Sequence, residues 1–230
     1  MKTEGLQTSD YRIRKLIGIL GLSLPIVLPV AKGEFLASIS HYYYATLSSL
    51  LFIIIISAFG LFLISYKGYK KDATSEQISD DLLTNIGGLA ALIIVFIPTD
   101  CEGSTSQIIE NLCNTENFPL YGHKDTLLNT IHLISAGIFI LCMGWMSKYK
   151  FTRGNKPMHN SIYIRCGNIV FISVGLLILG IILEKLHVNF LINRHYIYIF
   201  ETIAVIAFGT SWLVKGEALE NLVDFKNRVM

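Results

Sequence analysis

The residues in this chain that could do chemistry are few, and the first is a carboxylate inside an apolar run. Glu201 stands in NRHYIYIFETIAVIAFGTSWLVKG, at 193–216, with hydrophobic residues on both sides. An ionisable group at membrane depth costs about 3 kcal/mol or more, so it is kept where it faces protein, water or a ligand. His132 occupies a similar place in a second apolar run, together with Asn129 and Ser135. At 100° per residue these three fall within an arc of about 120°, a single polar stripe on an otherwise apolar helix. Ser40 and His41 precede a third run, Asp100 follows a fourth, and His195 stands just before the run of Glu201. Such groups around one cavity ligate a divalent metal, relay protons, or bond to one another and fix packing. The candidate ligand pocket is Ser40, His41, Asp100, Asn129, His132, His195 and Glu201. For catalysis the candidates are Glu201 and His132, and for a metal such as zinc they are His41, Asp100 and His132. A short metal spacing such as HExxH is absent from the sequence.

The elements that must position these groups are apolar and long. Of 230 residues, 52% are hydrophobic and only 16% charged, against about 25% charged in a soluble domain. Six apolar stretches recur, at 16–31, 45–66, 82–98, 126–147, 162–183 and 196–214. Most approach the roughly 20 residues that cross a hydrocarbon core of about 30 Å. Segments such as LLFIIIISAFGLFLISY are apolar all round, where a soluble bundle helix would be apolar on one face. The expected fold is all-α, a single integral membrane domain over 1–230 with six transmembrane helices.

Lysine and arginine alternate between loops, the pattern that marks cytoplasmic segments. Lys2, Arg12, Arg14 and Lys15 precede the first stretch. Lys67, Lys70 and Lys71 follow the second, and Lys148, Lys150, Arg153, Lys156 and Arg165 surround the turn after the fourth. Both termini are expected inside. The first stretch follows basic residues as a signal peptide would, but has no small-x-small site directly before Lys32, so it reads as a retained anchor. Its Pro25 and Pro29 predict a kink or an early end near residues 24–28. Tyr42, Tyr43 and Tyr44 read as anchors at headgroup level. Trp145 and Trp212, followed by Lys148 and Lys215, read as an aromatic belt with snorkelling lysines. Asp80 or Asp81 is the expected cap of the third helix, and Gly87, Gly88, Ala90, Ala91, Gly175 and Gly180 mark close helix approach.

Counting inward at 1.5 Å per residue puts His132 and Glu201 both about 8 to 9 Å below the outer boundary, where they could meet. Cys101 and Cys113 lie in the longest outer loop, in a compartment that permits a disulfide. Closing a loop of that size is worth roughly 3 kcal/mol in the chain-entropy model. Cys142 and Cys166 read as small packing residues. The net charge of +2 is scattered over short loops, which argues against a nucleic-acid partner.

The order SISHYYYAT, FGLFLISYKGYKKD, GGLAALIIVFIPT, IHLISAGIFI and ETIAVIAFGTSWLVKGE resembles an uncharacterised bacterial family of six-helix membrane proteins. That family is distantly similar to the DRAM/FRAG/SFK type, and the resemblance implies a multi-pass protein of the plasma (inner) membrane. A weaker similarity is to the CREST superfamily of membrane hydrolases, which includes alkaline ceramidases and adiponectin-type receptors. Their zinc site takes a serine and a histidine from an early span, an aspartate from the end of the next and two histidines from a late span. Ser38 or Ser40 with His41, and Asp100, match the first half; the late histidine pair is absent and His132 lies on a different helix.

Three functions follow as expectations. The first is a non-enzymatic membrane protein that binds or senses a lipid or small molecule in an outward-facing polar pocket. The second is a metal-dependent lipid hydrolase with Glu201 as general base. The third is a transporter or channel subunit, for which no internal repeat is visible and which would call for a homo-oligomer or a cavity. Membrane lipids are the partners common to all three.

Overall fold

The computed structural model describes residues 8–69, 78–153, 157–186 and 195–217. His187, Arg194, Lys2, Lys70, Lys71 and Lys156 lie outside the described residues. Among those described the chain is all helical, with seven α-helices: α1 (Thr8–Lys32), α2 (Thr46–Ser65), α3 (Asp80–Phe96), α4 (Gln107–Thr115), α5 (Thr126–Trp145), α6 (Asn160–Lys185) and α7 (Tyr196–Lys215). Five stretches, Tyr11–Lys32, Thr46–Ser65, Thr126–Arg153, Asn160–Glu184 and Tyr196–Lys215, are long and apolar enough to cross a membrane. This makes the chain a multi-pass membrane protein. The apolar helix α3 has 17 residues, about 26 Å of rise. The short, amphipathic α4 lies in the loop between α3 and α5.

The six long helices run alternately up and down and close into a ring in the order α1, α2, α3, α5, α6, α7 and back to α1. Each turns an aliphatic side chain outward: Ile19, Ile54, Leu89, Ile134, Ile172 and Ile206 are all exposed. A ring apolar on its outside is built for lipid, where the backbone must satisfy itself within each helix. The axis is filled by Phe59, Phe139 and Phe208 from α2, α5 and α7, whose ring centroids lie 5.6 to 5.9 Å apart. Close approach comes from small residues. Gly88 abuts Gly60 and Ile64, Gly87 abuts Cys142 and Met143, and Gly180 abuts Tyr196. Gly175 is different from expectation, since open space adjoins it.

The expected early end of α1 does not occur; the helix runs through both prolines to Lys32. Pro29 has no N–H for the Pro25 carbonyl one turn earlier, and the phenol of Tyr198 on α7 donates to that carbonyl instead. An inter-helix bond thus replaces the missing intrahelical one. The cap of α3 is Ser79, whose hydroxyl accepts from the Leu82 N–H at 3.1 Å, and Asp80 is buried. Asp80 pairs with Arg153 and with Lys150.

Trp145 is exposed beside Tyr149, as a belt residue would be, but Trp212 is fully buried, edge-on to Tyr66 and Phe151. Lys215 does not snorkel. It is buried and donates to the Phe151 carbonyl at 2.7 Å. Arg14, also buried, donates to the Tyr66 hydroxyl at 2.6 Å and reaches the Lys215 carbonyl at 3.5 Å. The start of α1 and the end of α7 therefore meet at one end of the ring, the basic end. The loops with Cys101 and Cys113 form the other.

Because Phe208 touches both other axial rings while Ile206 faces outward, the two separate packing from hydrophobicity. Phe208→Ala is expected to lower the thermal unfolding midpoint of detergent-solubilised protein by several degrees, and Ile206→Ala to leave it nearly unchanged. Equal effects would contradict a packed axis.

Candidate functional site

The site begins with residues 33–45, the link between α1 and α2. Gly33 ends α1 at a positive φ of 75°, a conformation that favours glycine, and its N–H closes the helix on the Pro29 carbonyl at 2.7 Å. The chain then folds over the end of the ring instead of looping away. Tyr42, Tyr43 and Tyr44 are buried, not headgroup anchors, and each phenol bonds backbone. Tyr42 donates to the Glu34 carbonyl at 2.8 Å and accepts from the Leu36 N–H at 3.2 Å. Tyr43 accepts from the Tyr121 N–H at 3.3 Å, and Tyr44 donates to the Thr99 carbonyl at 2.6 Å and accepts from the His123 N–H at 3.1 Å. Burial pushes the phenols of Tyr42 and Tyr44 up to about 12.

These bonds dock the link against the loop of 97–125, which is itself closed by a disulfide between Cys101 and Cys113 with Cα atoms 5.6 Å apart. Ser106 adds a bond to the Glu34 carboxylate at 3.0 Å. The two loops make a roof over the ring. From below, the roof is held by the two buried groups that stood out in the sequence. Glu201 accepts from the Ile39 N–H at 2.6 Å. His132 bonds the Ser40 hydroxyl through Nε2 and the Ile97 carbonyl through Nδ1, each at 2.8 Å. The two do not bond each other, as their equal depth had suggested; they hold adjacent residues of the roof.

Under the roof lies a cavity of about 380 Å³. Ser40, His41, Asp100, Asn129 and Glu201 are on its wall. His132 stands behind Ser40, and His195 turns to the Leu36 carbonyl at 3.2 Å. The wall adds Glu102 and Glu184, with Leu133 of α5 and Ile181 of α6 as apolar flanks. Four carboxylates and no lysine or arginine thus line it among the described residues. Asp100 shows the consequence: burial first, and then the charge of Glu102, raise its carboxyl above the ordinary carboxylate range. Asn129 is fixed by two donors on its oxygen, the Thr99 hydroxyl at 3.0 Å and the Asp100 N–H at 3.3 Å.

The two imidazoles among the zinc candidates are engaged with protein groups. His132 has both ring nitrogens bonded to protein, and so has His41, to Ser38 at 3.0 Å and to the Glu102 carbonyl at 3.1 Å. Among the described residues no three His, Cys, Asp or Glu side chains converge. A zinc ion held by His41, Asp100 and His132 would have to break bonds at both rings.

No family model, no curated protein and no solved structure matches the chain.

The buried phenols have a pH signature. A tyrosinate at Tyr44 cannot donate to Thr99, so the roof is fully stabilised below the free phenol value of about 10 and loses that contribution as pH rises toward 12. Ultraviolet titration is expected to show a late-ionising fraction of the 11 tyrosines that ionises together with loss of tertiary structure. Complete ionisation near the free value with the fold intact would contradict the buried roof.

Proposed function

We propose that the protein crosses the bacterial plasma membrane six times, with both termini cytoplasmic and the roof outside, and binds a small amphipathic molecule in the cavity. The sixth crossing is α3, which is apolar and sits inside the ring between α2 and α5. What supports the orientation is charge. The basic end carries Arg14, Lys150, Arg153 and Lys215, and the roof carries the disulfide, a bond formed in oxidising compartments.

The observation that carries the binding reading is the composition and opening of the cavity. Near the basic end α5 and α6 are in close contact, Gly144 against Val170 and Gly167 against Lys148. The cavity lies between Leu133 and Ile181, 11 positions further along each helix and so about 16 Å away. Leu133 and Ile181 fall on the same helix faces as Gly144 and Val170, since 11 residues are close to three full turns. Open space also adjoins Gly137, midway along α5 and close to the face of Leu133 and Gly144. The gap thus offers apolar flanks for a chain and a polar chamber for a head. The four carboxylates select the head. An anionic phosphate would meet like charge in a low-dielectric site, whereas an amine or an uncharged hydroxyl head finds acceptors. A through-pore has no comparable support, because the axial phenylalanines fill the centre.

Native mass spectrometry of purified protein with dodecylamine, dodecanol and dodecyl phosphate tests the reading. The amine and alcohol are expected to bind and the phosphate to be rejected. Leu133→Trp, which fills the gap, is expected to weaken dodecylamine at least about tenfold. Dodecylamine affinity is expected to rise with pH as Asp100 ionises, above the usual carboxylate range, and Asp100→Asn to flatten that rise. Equal binding of dodecyl phosphate, or no effect of Leu133→Trp, would contradict it. For orientation, an impermeant maleimide on intact cells is expected to label Cys101 and Cys113 only after reduction; labelling confined to a cysteine placed at 154–156 would reverse the topology.

A further inference from the structure

We infer that Ser40 and His132 form a nucleophile and base, and that the amphipathic molecule held in the cavity is an acyl ester cleaved there. The inference rests on the cavity binding its ligand as proposed above. Most serines buried in the ring give their hydroxyl hydrogen to a backbone carbonyl: Ser48 to Leu28, Ser135 to Ile131, and Ser211 to Phe208. Ser40 differs, because its Oγ meets an imidazole nitrogen 92 residues away in the chain at 2.8 Å. The Ile97 carbonyl on the other side of the ring can only accept, so Nδ1 carries a hydrogen. In the neutral ring Nε2 is then the acceptor, and the Ser40 hydroxyl is the donor.

A base on the nucleophile, itself oriented by a third group, is the constellation that activates a hydroxyl. Here the third group is a backbone carbonyl. His132 is only 1% exposed and off the cavity wall, whereas Ser40 is on it, so a ligand reaches the imidazole only through the serine. The other serine and histidine pair, Ser38 with His41, is three residues apart, and Ser38 Oγ also accepts the His41 N–H at 3.2 Å. That pair shapes a turn.

Asn129 supplies the remaining part. It stands one turn before His132 on the same face of α5, lines the cavity, and has its oxygen engaged by Thr99 and Asp100. Its NH2 is therefore the group it presents to an acyl oxygen that becomes negative, as an oxyanion donor does.

The chemistry balances with water as the only co-reactant. Ser40 Oγ attacks the acyl carbon while its proton passes to Nε2 of His132, and Asn129 donates to the oxyanion. The ester C–O bond breaks as Nε2 returns that proton to the departing alcohol, leaving acyl-Ser40. Water then attacks, Nε2 takes its proton, and the carboxylic acid leaves as Ser40 recovers its hydrogen.

The test uses the full chain in detergent with an alkyl fluorophosphonate, p-nitrophenyl octanoate and, for binding alone, dodecylamine. The fluorophosphonate is expected to form a covalent adduct that peptide mass spectrometry places on Ser40. Octanoate turnover is expected to fall at least about 100-fold in Ser40→Ala and His132→Gln, to survive EDTA, and to persist in Ser135→Ala, while the wild type binds dodecylamine. If Ser40→Ala does not fold, the wild-type adduct decides. An adduct elsewhere or none, turnover retained without Ser40, or turnover abolished by EDTA would overturn the inference. Dodecylamine binding that persists in those cases leaves the binding site standing, and its absence from wild type removes that reading as well.

Discussion

The structure depends on the need to satisfy the backbone of residues 33–45 where water is scarce. This link carries its peptide groups across the end of a lipid-facing ring, and each buried N–H or carbonyl left without a partner would cost more than a made bond returns. The partners come from below and from the side. Glu201 takes the Ile39 N–H, His132 takes the Ser40 hydroxyl, the α7 backbone at Tyr198 donates to the Ala37 carbonyl at 2.9 Å, and Tyr42 binds at both Glu34 and Leu36. A carboxylate and an imidazole that would be expensive in hydrocarbon are thereby placed against protein polar groups. The cavity follows from the same arrangement, since the roof spans the ring end without filling the space between α5 and α6.

The two ends of the ring are consequently different in kind. At the basic end, the buried side chains of Arg14, Tyr66, Trp212, Phe151 and Lys215 interlock. At the roof, carboxylates line an open chamber. Tight closure at Gly144 and Gly167 allows the other ends of α5 and α6 to stand apart without loosening the bundle. The interlocked packing and the proposed binding chamber thus occupy opposite ends of the same helices.

Much of this was legible in the sequence, for reasons that differ by residue. The apolar stretches announced the helices through length alone, and Cys101 and Cys113 announced their bond through loop position and compartment. Glu201 and His132 were singled out by cost. Rise per residue put the two at one level, where they could meet, but rise alone does not give azimuth, and each bonds the link instead. The tyrosines at 42–44 were misread because an interfacial anchor and a buried backbone donor have the same sequence signature; only the fold of the link tells them apart. The early end offered for Pro25 and Pro29 does not occur, since a phenol 173 residues away from Pro25 meets the carbonyl that Pro29 orphans. The two opposed flanks, Leu133 and Ile181, carried no signal at all among so many aliphatic residues.

The most direct measurement of the central claim, that the chamber holds an amphipathic molecule of chosen charge, is what the protein carries out of its own membrane. Lipid extracted from purified wild-type protein and from Leu133→Trp, and compared by mass spectrometry with the bulk membrane, reads this without a guess about the ligand. Amine-bearing or uncharged species enriched on the wild type and depleted in the filled variant are the expected result. Identical profiles in both proteins, or enrichment of anionic phospholipids, would mean that the carboxylate chamber is a by-product of holding up the roof.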